Sequence, residues 1–106
     1  MAAIFSKIDS AQKKMLIANL TQNLPVLRAK LGINQMELAE KIGITRQTLT
    51  AIESGKREMT WVTFVALTLL FMQNEKTKVL LPVVNVYTEE LEQFFLFNQV
   101  NAEGDE

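Results

Sequence analysis

The stretch NQMELAEKIGITRQTLTAIESGKR, residues 34–57, constrains the fold more than any other part of the chain. An amphipathic helical pattern breaks at Gly43 and restarts after two residues, with Arg46 and Gln47 on the exposed first turn of the next helix. Glycine adopts positive φ at no steric cost, so the chain can reverse sharply at Gly43. The apolar positions of this stretch predict two packed helices. Packing does not account for an exposed Arg–Gln pair, which indicates that Arg46 and Gln47 have another role.

The ends of these two helices are marked by capping residues. Asn34 is a good N-cap, and Glu37 three residues later completes a capping-box pattern. Thr45 can cap the second helix. The first helix is expected to bury an apolar face made of Met36, Leu38, Ala39 and Ile42, and the second helix turns Leu49 and Ile52 inward.

Helical patterns also flank this stretch. Residues 1–22 have apolar residues at helical spacing, and a second helix is predicted to begin near Asn23, with Pro25 in its first turn and Gly32 as a left-handed cap. Thr60 begins TWVTFVALTLLFMQ, whose nearly continuous apolar residues predict burial on more than one side.

The C-terminal third is less regular. Residues 75–87 are compatible with a helix broken near Pro82 or with a short strand. Thr88 can cap a further helix, TEELEQFFLFN. The predicted fold is therefore all-α, a compact helical bundle with a C-terminal apolar helical extension. Its expected divisions are an N-terminal helix (1–22), a central domain (23–74) and an extension with an acidic tail (75–106).

Composition excludes several classes of site. The chain has no cysteine and no histidine, so it has no disulfide, no zinc site built from those residues and no histidine general base. Its serines, Ser6, Ser10 and Ser54, therefore have no histidine to activate them, and no glycine-rich phosphate loop or carboxylate constellation is present. We expect no metal, no cofactor and no enzymatic activity.

The sequence also predicts a cytoplasmic protein without a membrane segment. Its N-terminus lacks the basic start and long apolar run of a signal peptide. The longest apolar run, residues 64–72, is interrupted by Thr68, and it is far shorter than the roughly 20 residues that span a bilayer.

Charge is divided unevenly along the chain. Residues 1–80 contain all 11 Lys and Arg residues and six acids, whereas residues 81–106 contain six acids and no base. The C-terminal acids form either a solvated tail or a negative segment kept away from a basic body that faces a polyanion.

Residues Leu27 to Arg57, LRAKLGINQMELAEKIGITRQTLTAIESGKR, resemble the Cro and phage-repressor-like (XRE) helix-turn-helix family. Gln35 opens the motif, Ala39 is small where the helices cross, and Gly43 makes the turn. The resemblance covers about a third of the chain. It implies a lambda-repressor-like helical domain, which the helix at residues 60–72 extends.

The resemblance implies roles in binding double-stranded DNA. The second helix of such a motif enters the major groove, and its first turn reaches base edges. Arg suits guanine and Gln suits adenine. The predicted base-contacting residues are Arg46, Gln47, Thr50 and Ala51, and the predicted phosphate-contacting residues are Gln35, Thr45, Lys56 and Arg57. The alternative is that the exposed face of this helix is merely solvated.

The family pattern also contains an Arg and a Glu that commonly pair, here Arg28 and Glu53. Such a pair either fixes the angle between two helices or leaves Arg28 to contact phosphate. We favour the structural interpretation.

The C-terminal extension is rich in apolar residues. FFLF, residues 94–97, cannot all face one side of a helix. The segment either packs back onto the helix at residues 60–72 or forms a two-fold dimer interface. The candidate interface residues are Leu91, Phe94, Phe95 and Phe97.

These observations predict a sequence-specific transcriptional regulator that binds DNA as a homodimer. It would repress by occupying a promoter or activate by contacting polymerase. The alternative is an antitoxin-like or accessory protein of the same fold, whose apolar C-terminal segment binds a protein partner.

Overall fold

The computed structural model describes residues 7–96, and every regular element within this range is helical. The elements are α1 (Ser10–Leu31), α2 (Gln35–Ile42), α3 (Arg46–Glu53), α4 (Trp61–Met72), α5 (Glu75–Lys78), α6 (Leu80–Val83) and α7 (Glu89–Phe95). The predicted all-α fold with a helical C-terminal extension is confirmed.

Side-chain caps fix where the helices begin. The Asn34 side chain accepts a hydrogen bond from the Glu37 N–H at 2.8 Å, and the Glu37 carboxylate accepts from the Asn34 N–H at 2.9 Å. Thr45, Thr60 and Thr88 cap α3, α4 and α7 in the same position. Each cap satisfies a first-turn N–H that has no partner within its own helix.

The long helix α1 corrects one prediction. Residues 10–31 form a single helix with Pro25 in its interior, so the expected boundary near Asn23 is wrong. A continuous buried stripe crosses that boundary and consists of Leu16, Ile17, Leu20, Leu24 and Leu27. Burying it offsets the roughly 3 kcal/mol that an interior proline costs, because each of these side chains contributes about 1.5–3 kcal/mol. Pro25 itself is exposed.

Two expectations about buried faces are also corrected. Met36 is exposed and takes no part in the buried face of α2, which consists of Leu38 and Ala39. In α4 the buried residues share one face, whereas Val62 and Leu69 are exposed. The apolar run in α4 therefore exceeds what the core takes up.

Residues 75–78 and 80–83 are helical, residues 84–87 form a turn and bend, and the strand alternative is wrong. Two single-turn helices meet at Val79, and Pro82 lies inside α6, which ends one residue later at Val83. Proline fits there because the first-turn N–H groups of a helix have no intrahelical acceptor. Asn85 then turns the chain with φ of 60°.

Both ends of the described chain contribute to one core. Leu81, Val86 and Leu91 from the C-terminal segment are fully buried, in the same cluster as Leu16 and Leu20 of α1. The Asn19 side chain also donates a hydrogen bond to the Asn85 carbonyl at 3.1 Å. The C-terminal segment therefore packs back onto the protein.

Trp61 lies where α1, α4 and α7 meet. Its ring stacks on Phe64 with centroids 4.9 Å apart and meets the edge of Phe94 at 6.1 Å. The Lys13 ammonium lies 5.0 Å from the Trp61 ring centroid, within range of a cation–π contact.

None of the helices in residues 7–96 has both the length and the apolar composition needed to cross a membrane. The division into residues 1–22, 23–74 and 75–106 stays a prediction.

Candidate nucleic-acid interface

A tight turn at Gly43 sets the relative position of α2 and α3. Gly43 has φ of 81°, and its N–H and that of Ile44 donate to the Ala39 carbonyl at 2.9 and 3.0 Å. Leu38, Ala39, Leu49 and Ile52 are buried between these helices and the rest of the core. The opposite face of α3 is consequently held rigid at the surface.

The exposed face of α3 presents the predicted base-contacting residues together. Arg46, Gln47 and Thr50 are exposed, and Ala51 is half-buried. All four line a shallow groove of about 410 Å³ that also includes Ser54 and Lys56. The arrangement offers a guanidinium, an amide and a hydroxyl along one side of a protruding helix.

The predicted phosphate-contacting residues fall in different places. Lys56 lines the groove along α3, whereas Arg57 lies outside it and lines grooves against α1 and α4. The Thr45 hydroxyl accepts from the Thr48 N–H at 3.1 Å and donates to the Thr48 hydroxyl at 2.9 Å. Gln35 is the first residue of α2 and is half-buried.

Arg28 and Glu53 form a two-point ion pair between α1 and the end of α3. The Arg28 Nε donates to Glu53 Oε2 at 2.9 Å, and its Nη2 donates to Glu53 Oε1 at 3.0 Å. The Glu53 side chain is only 7% exposed and that of Arg28 20%. Hydrogen bonding to Glu53, opposed by burial, raises the pKa of Arg28. A planar, two-point pair of this kind fixes the relative orientation of the two side chains and also brings their opposite charges together.

Gln35 extends this ion pair to the exposed face of α3, a connection that sequence reasoning missed. Its Nε2 donates to Glu53 Oε1 at 2.9 Å, and its Oε1 accepts from the Thr50 hydroxyl at 2.8 Å. Arg28, Glu53, Gln35 and Thr50 thus form one hydrogen-bonded network across three helices. Polar residues far apart in sequence give no periodic signal, so only the three-dimensional arrangement of α1, α2 and α3 reveals this network.

The candidate dimer-interface residues differ in how deeply they are buried. Leu91 is fully buried in the core of a single chain, so its assignment to a dimer interface is wrong. Phe94 is half-buried against Trp61, and Phe95 is 43% exposed. Phe97 lies outside the described residues.

Comparison with known proteins identifies the class of this domain. Residues 27–60 match the family described as "Helix-turn-helix". This range includes α2, the Gly43 turn and α3. The match falls on the segment whose sequence resembles the Cro and phage-repressor-like helix-turn-helix family, and it confirms that predicted resemblance.

Two relatives have the same description, "Uncharacterized HTH-type transcriptional regulator". One, from Methanothermobacter thermautotrophicus, is 55% identical over 29 residues, which cover 27% of this chain and 42% of the relative. The other, from Archaeoglobus fulgidus, is 28% identical over 77 residues, which cover 73% of this chain and 87% of the relative. No solved structure matches the chain.

Proposed function

We propose that this protein is a sequence-specific DNA-binding transcriptional regulator that inserts α3 into the major groove. The observation that carries the proposal is the rigid, exposed face of α3, where Arg46, Gln47 and Thr50 lie side by side. The family match and the descriptions of the relatives support a DNA-binding regulator rather than an enzyme. Its place of action is then the cytoplasm, with DNA.

The chemistry of the α3 face suits base reading. The forked guanidinium of Arg46 matches the O6 and N7 acceptors of guanine, and the Gln47 amide both donates and accepts, as adenine requires. The methyl of Ala51 suits contact with a thymine methyl. Each such pairing discriminates against a wrong base by about 1–3 kcal/mol.

Contacts to the DNA backbone would orient α3 in the groove. Lys56 is exposed beside the α3 groove and supplies one positive charge there. Gln35 and Thr45 lie at the N-terminal ends of α2 and α3, where helix N–H groups favour phosphate. We assign a phosphate contact to Arg57 as well, on the outer side of the same loop.

We further propose a homodimer that reads two half-sites. One α3 covers only a few base pairs, and a two-fold pair of such helices reads half-sites roughly 34 Å apart. The exposed Phe95 and Leu96, at the end of α7, supply apolar surface for self-association. Such a dimer would repress a promoter by occupying it or activate by contacting polymerase.

Selection of bound sequences from randomised duplex DNA, at two salt concentrations, tests the proposal. We expect an enriched inverted repeat, and we expect Arg46→Ala to lose about 1–3 kcal/mol at one base pair per half-site while other positions keep their preference. Lys41→Ala is the matched control, because Lys41 is exposed on α2 and lines a groove against α4 instead of α3.

Two results would count against this function. A uniform loss of affinity for every sequence in Arg46→Ala would make Arg46 a phosphate contact. An absence of any enriched sequence, with only weak salt-sensitive binding, would instead favour an antitoxin-like or accessory protein. The exposed Phe95 and Leu96 are the observation that favours this second function, since they offer an apolar surface to a protein partner.

A further inference from the structure

The orientation of the Gln35 amide is fixed by its neighbours. Arg28 holds the Glu53 carboxylate at two points, 2.9 and 3.0 Å. An ionised carboxylate only accepts hydrogen bonds. The Gln35 nitrogen must therefore face Glu53, at 2.9 Å, and the Gln35 oxygen must face Thr50, at 2.8 Å.

This orientation determines what the Thr50 hydroxyl does. An amide oxygen accepts and never donates, so the Thr50 hydroxyl is the donor in its bond to Gln35. A hydroxyl has a single proton and two lone pairs. Thr50 therefore has no further proton to offer, and the groove along α3 faces a hydroxyl that acts only as an acceptor.

We propose that Thr50 makes α3 select a base that presents an amino group in the major groove, which means adenine or cytosine. Adenine offers its N6 amino group and cytosine its N4 amino group, whereas the polar major-groove atoms of guanine and thymine are all acceptors. This specificity rests on the proposed function, because it requires α3 to lie in the major groove. Thr50 is exposed on the same face as Arg46 and Gln47.

The Gln35 network is what excludes guanine and thymine. To donate to either base, the Thr50 hydroxyl must break its hydrogen bond to the Gln35 side-chain oxygen. Because the Gln35 side chain is half-buried, breaking that bond leaves its oxygen without a donor. A neutral hydrogen bond of this kind corresponds to roughly a five-fold preference at one base pair. Gln35 is thus a positioning residue for base selection, and its second N–H stays free for a phosphate.

Selection from randomised DNA with two variants tests this inference. The wild-type protein should enrich adenine or cytosine at one position per half-site, and Thr50→Val should lose roughly five-fold preference at that position only. Gln35→Met should keep Thr50 but free its proton, so guanine and thymine become acceptable at the same position. All other positions should keep their preferences in both variants.

Controls separate base reading from loss of structure. Thr21→Val makes the same chemical change in α1, where the hydroxyl donates to the Ile17 carbonyl at 2.8 Å, and its DNA preferences should equal those of the wild type. Thermal unfolding of each variant identifies any that fails to fold. If Thr50→Val fails to fold, Thr50→Ala replaces it and should lose the same preference, because alanine also lacks the hydroxyl, whereas Thr50→Ser should keep it.

Several outcomes would overturn the inference. A uniform loss across all sequences in Thr50→Val would make Thr50 a purely structural residue. Preference for guanine or thymine at the position that Thr50→Val erases would show that the hydroxyl donates, and unchanged selectivity in Gln35→Met would remove the role of the network. If the wild-type protein enriches no sequence, the proposed function and this inference both fail, whereas enrichment unaffected at every position by Thr50→Val overturns the inference alone.

Discussion

Two buried threonines, one in α4 and one in α5, differ in their hydrogen bonding. The Thr68 hydroxyl has no partner among the described residues, although its side chain is buried. The Thr77 hydroxyl is buried too and donates to the Phe71 carbonyl at 2.6 Å, which satisfies a carbonyl near the end of α4. The same substitution at the two sites should therefore have opposite effects on stability.

We expect Thr68→Val to raise the free energy of unfolding by about 1 kcal/mol, because valine has the same shape and no hydroxyl to leave unpaired. Thr77→Val should lower it by about 1–3 kcal/mol, because the Phe71 carbonyl loses its donor. Urea denaturation monitored by circular dichroism measures both. A loss of stability in Thr68→Val would mean that its hydroxyl has a hydrogen-bonding partner.

Tyr87 makes stability depend on pH in the alkaline range. Burial, and then the nearby Glu92 carboxylate, raise the pKa of Tyr87 above the usual value of about 10. A raised pKa in the folded state favours the protonated phenol there. The resulting stabilisation is complete below pH of about 10 and is lost as the pH rises through the folded-state pKa.

We therefore expect the wild type to lose stability above pH of about 10 more steeply than Tyr87→Phe. Tyr87 is the only tyrosine in the chain, so the ultraviolet absorbance of tyrosinate reports its pKa directly. Glu92→Gln should move that pKa part of the way back toward its usual value. An absorbance titration with the usual midpoint in the folded protein would contradict the prediction.

Much of the local chemistry at single residues could be predicted from sequence. Asn34 with Glu37, and Thr45, were recognisable as caps because a cap and its partner lie within three residues of each other. The bond between Gln35 and Thr50 joins two helices, and no spacing rule relates those positions. Local rules therefore identified the surface of α3 but left the hydrogen-bonding state of Thr50 to the structure.

At the scale of helices, Pro25 offers a direct test of α1. Proline in a helix interior removes one backbone hydrogen bond and strains the preceding turn. Because Pro25 is exposed and α1 continues through it, Pro25→Ala should raise the free energy of unfolding by about 1–3 kcal/mol. Chemical denaturation measures the change.

Val26→Ala is the control for this substitution, since Val26 is an exposed neighbour in the same helix and should change stability by less than about 0.5 kcal/mol. A destabilised Pro25→Ala would mean that the proline's constraint on the unfolded chain outweighs its cost to α1.

Both prolines illustrate why helix boundaries were harder to predict than helix identity. Proline was expected to mark a start at Pro25 and a break near Pro82. In the structure Pro25 lies inside a helix, and Pro82 lies one residue before the end of α6. A buried stripe holds α1 together across Pro25, and Pro82 occupies a first turn where its missing N–H costs nothing. Tertiary packing therefore keeps α1 continuous through Pro25, whereas the position of Pro82 in the first turn makes proline compatible with α6.

At the scale of the molecule, described residues on both sides of residues 23–74 belong to the same hydrophobic core as that stretch. Of the 17 buried hydrophobic residues in the described chain, seven lie outside residues 23–74, namely Ile8, Leu16, Ile17, Leu20, Leu81, Val86 and Leu91. At about 1.5–3 kcal/mol each, they contribute at least about 10 kcal/mol, comparable with the entire net stability of a small domain.

We therefore expect a fragment of residues 23–74 to lack a cooperative unfolding transition, although it contains the helix-turn-helix. A fragment of residues 7–96 retains all 17 of these side chains and should unfold cooperatively. Thermal circular dichroism of both fragments decides the matter. Cooperative unfolding of the shorter fragment would support the domain boundaries predicted from sequence.

The apolar C-terminal residues show where sequence counting fails. A high apolar content in residues 79–97 was compatible both with intramolecular packing and with a dimer interface. The structure places Leu81, Val86 and Leu91 in the protein's own core and leaves Phe95 exposed. Composition gives the amount of apolar surface to be buried, but the chain path determines which partner buries it.

The position of Trp61 provides a built-in optical reporter. It is the only tryptophan in the chain, and it touches Phe64, Phe94 and Lys13 at the junction of α1, α4 and α7. Its fluorescence therefore responds to the packing of α7 against α1 and α4. Trp61 does not line the groove along α3, so DNA can occupy that groove without touching the ring. Detachment of α7 removes Phe94 from the Trp61 ring and exposes that ring to water, which should shift the emission, so a single unlabelled sample can report detachment of α7 separately from engagement of DNA.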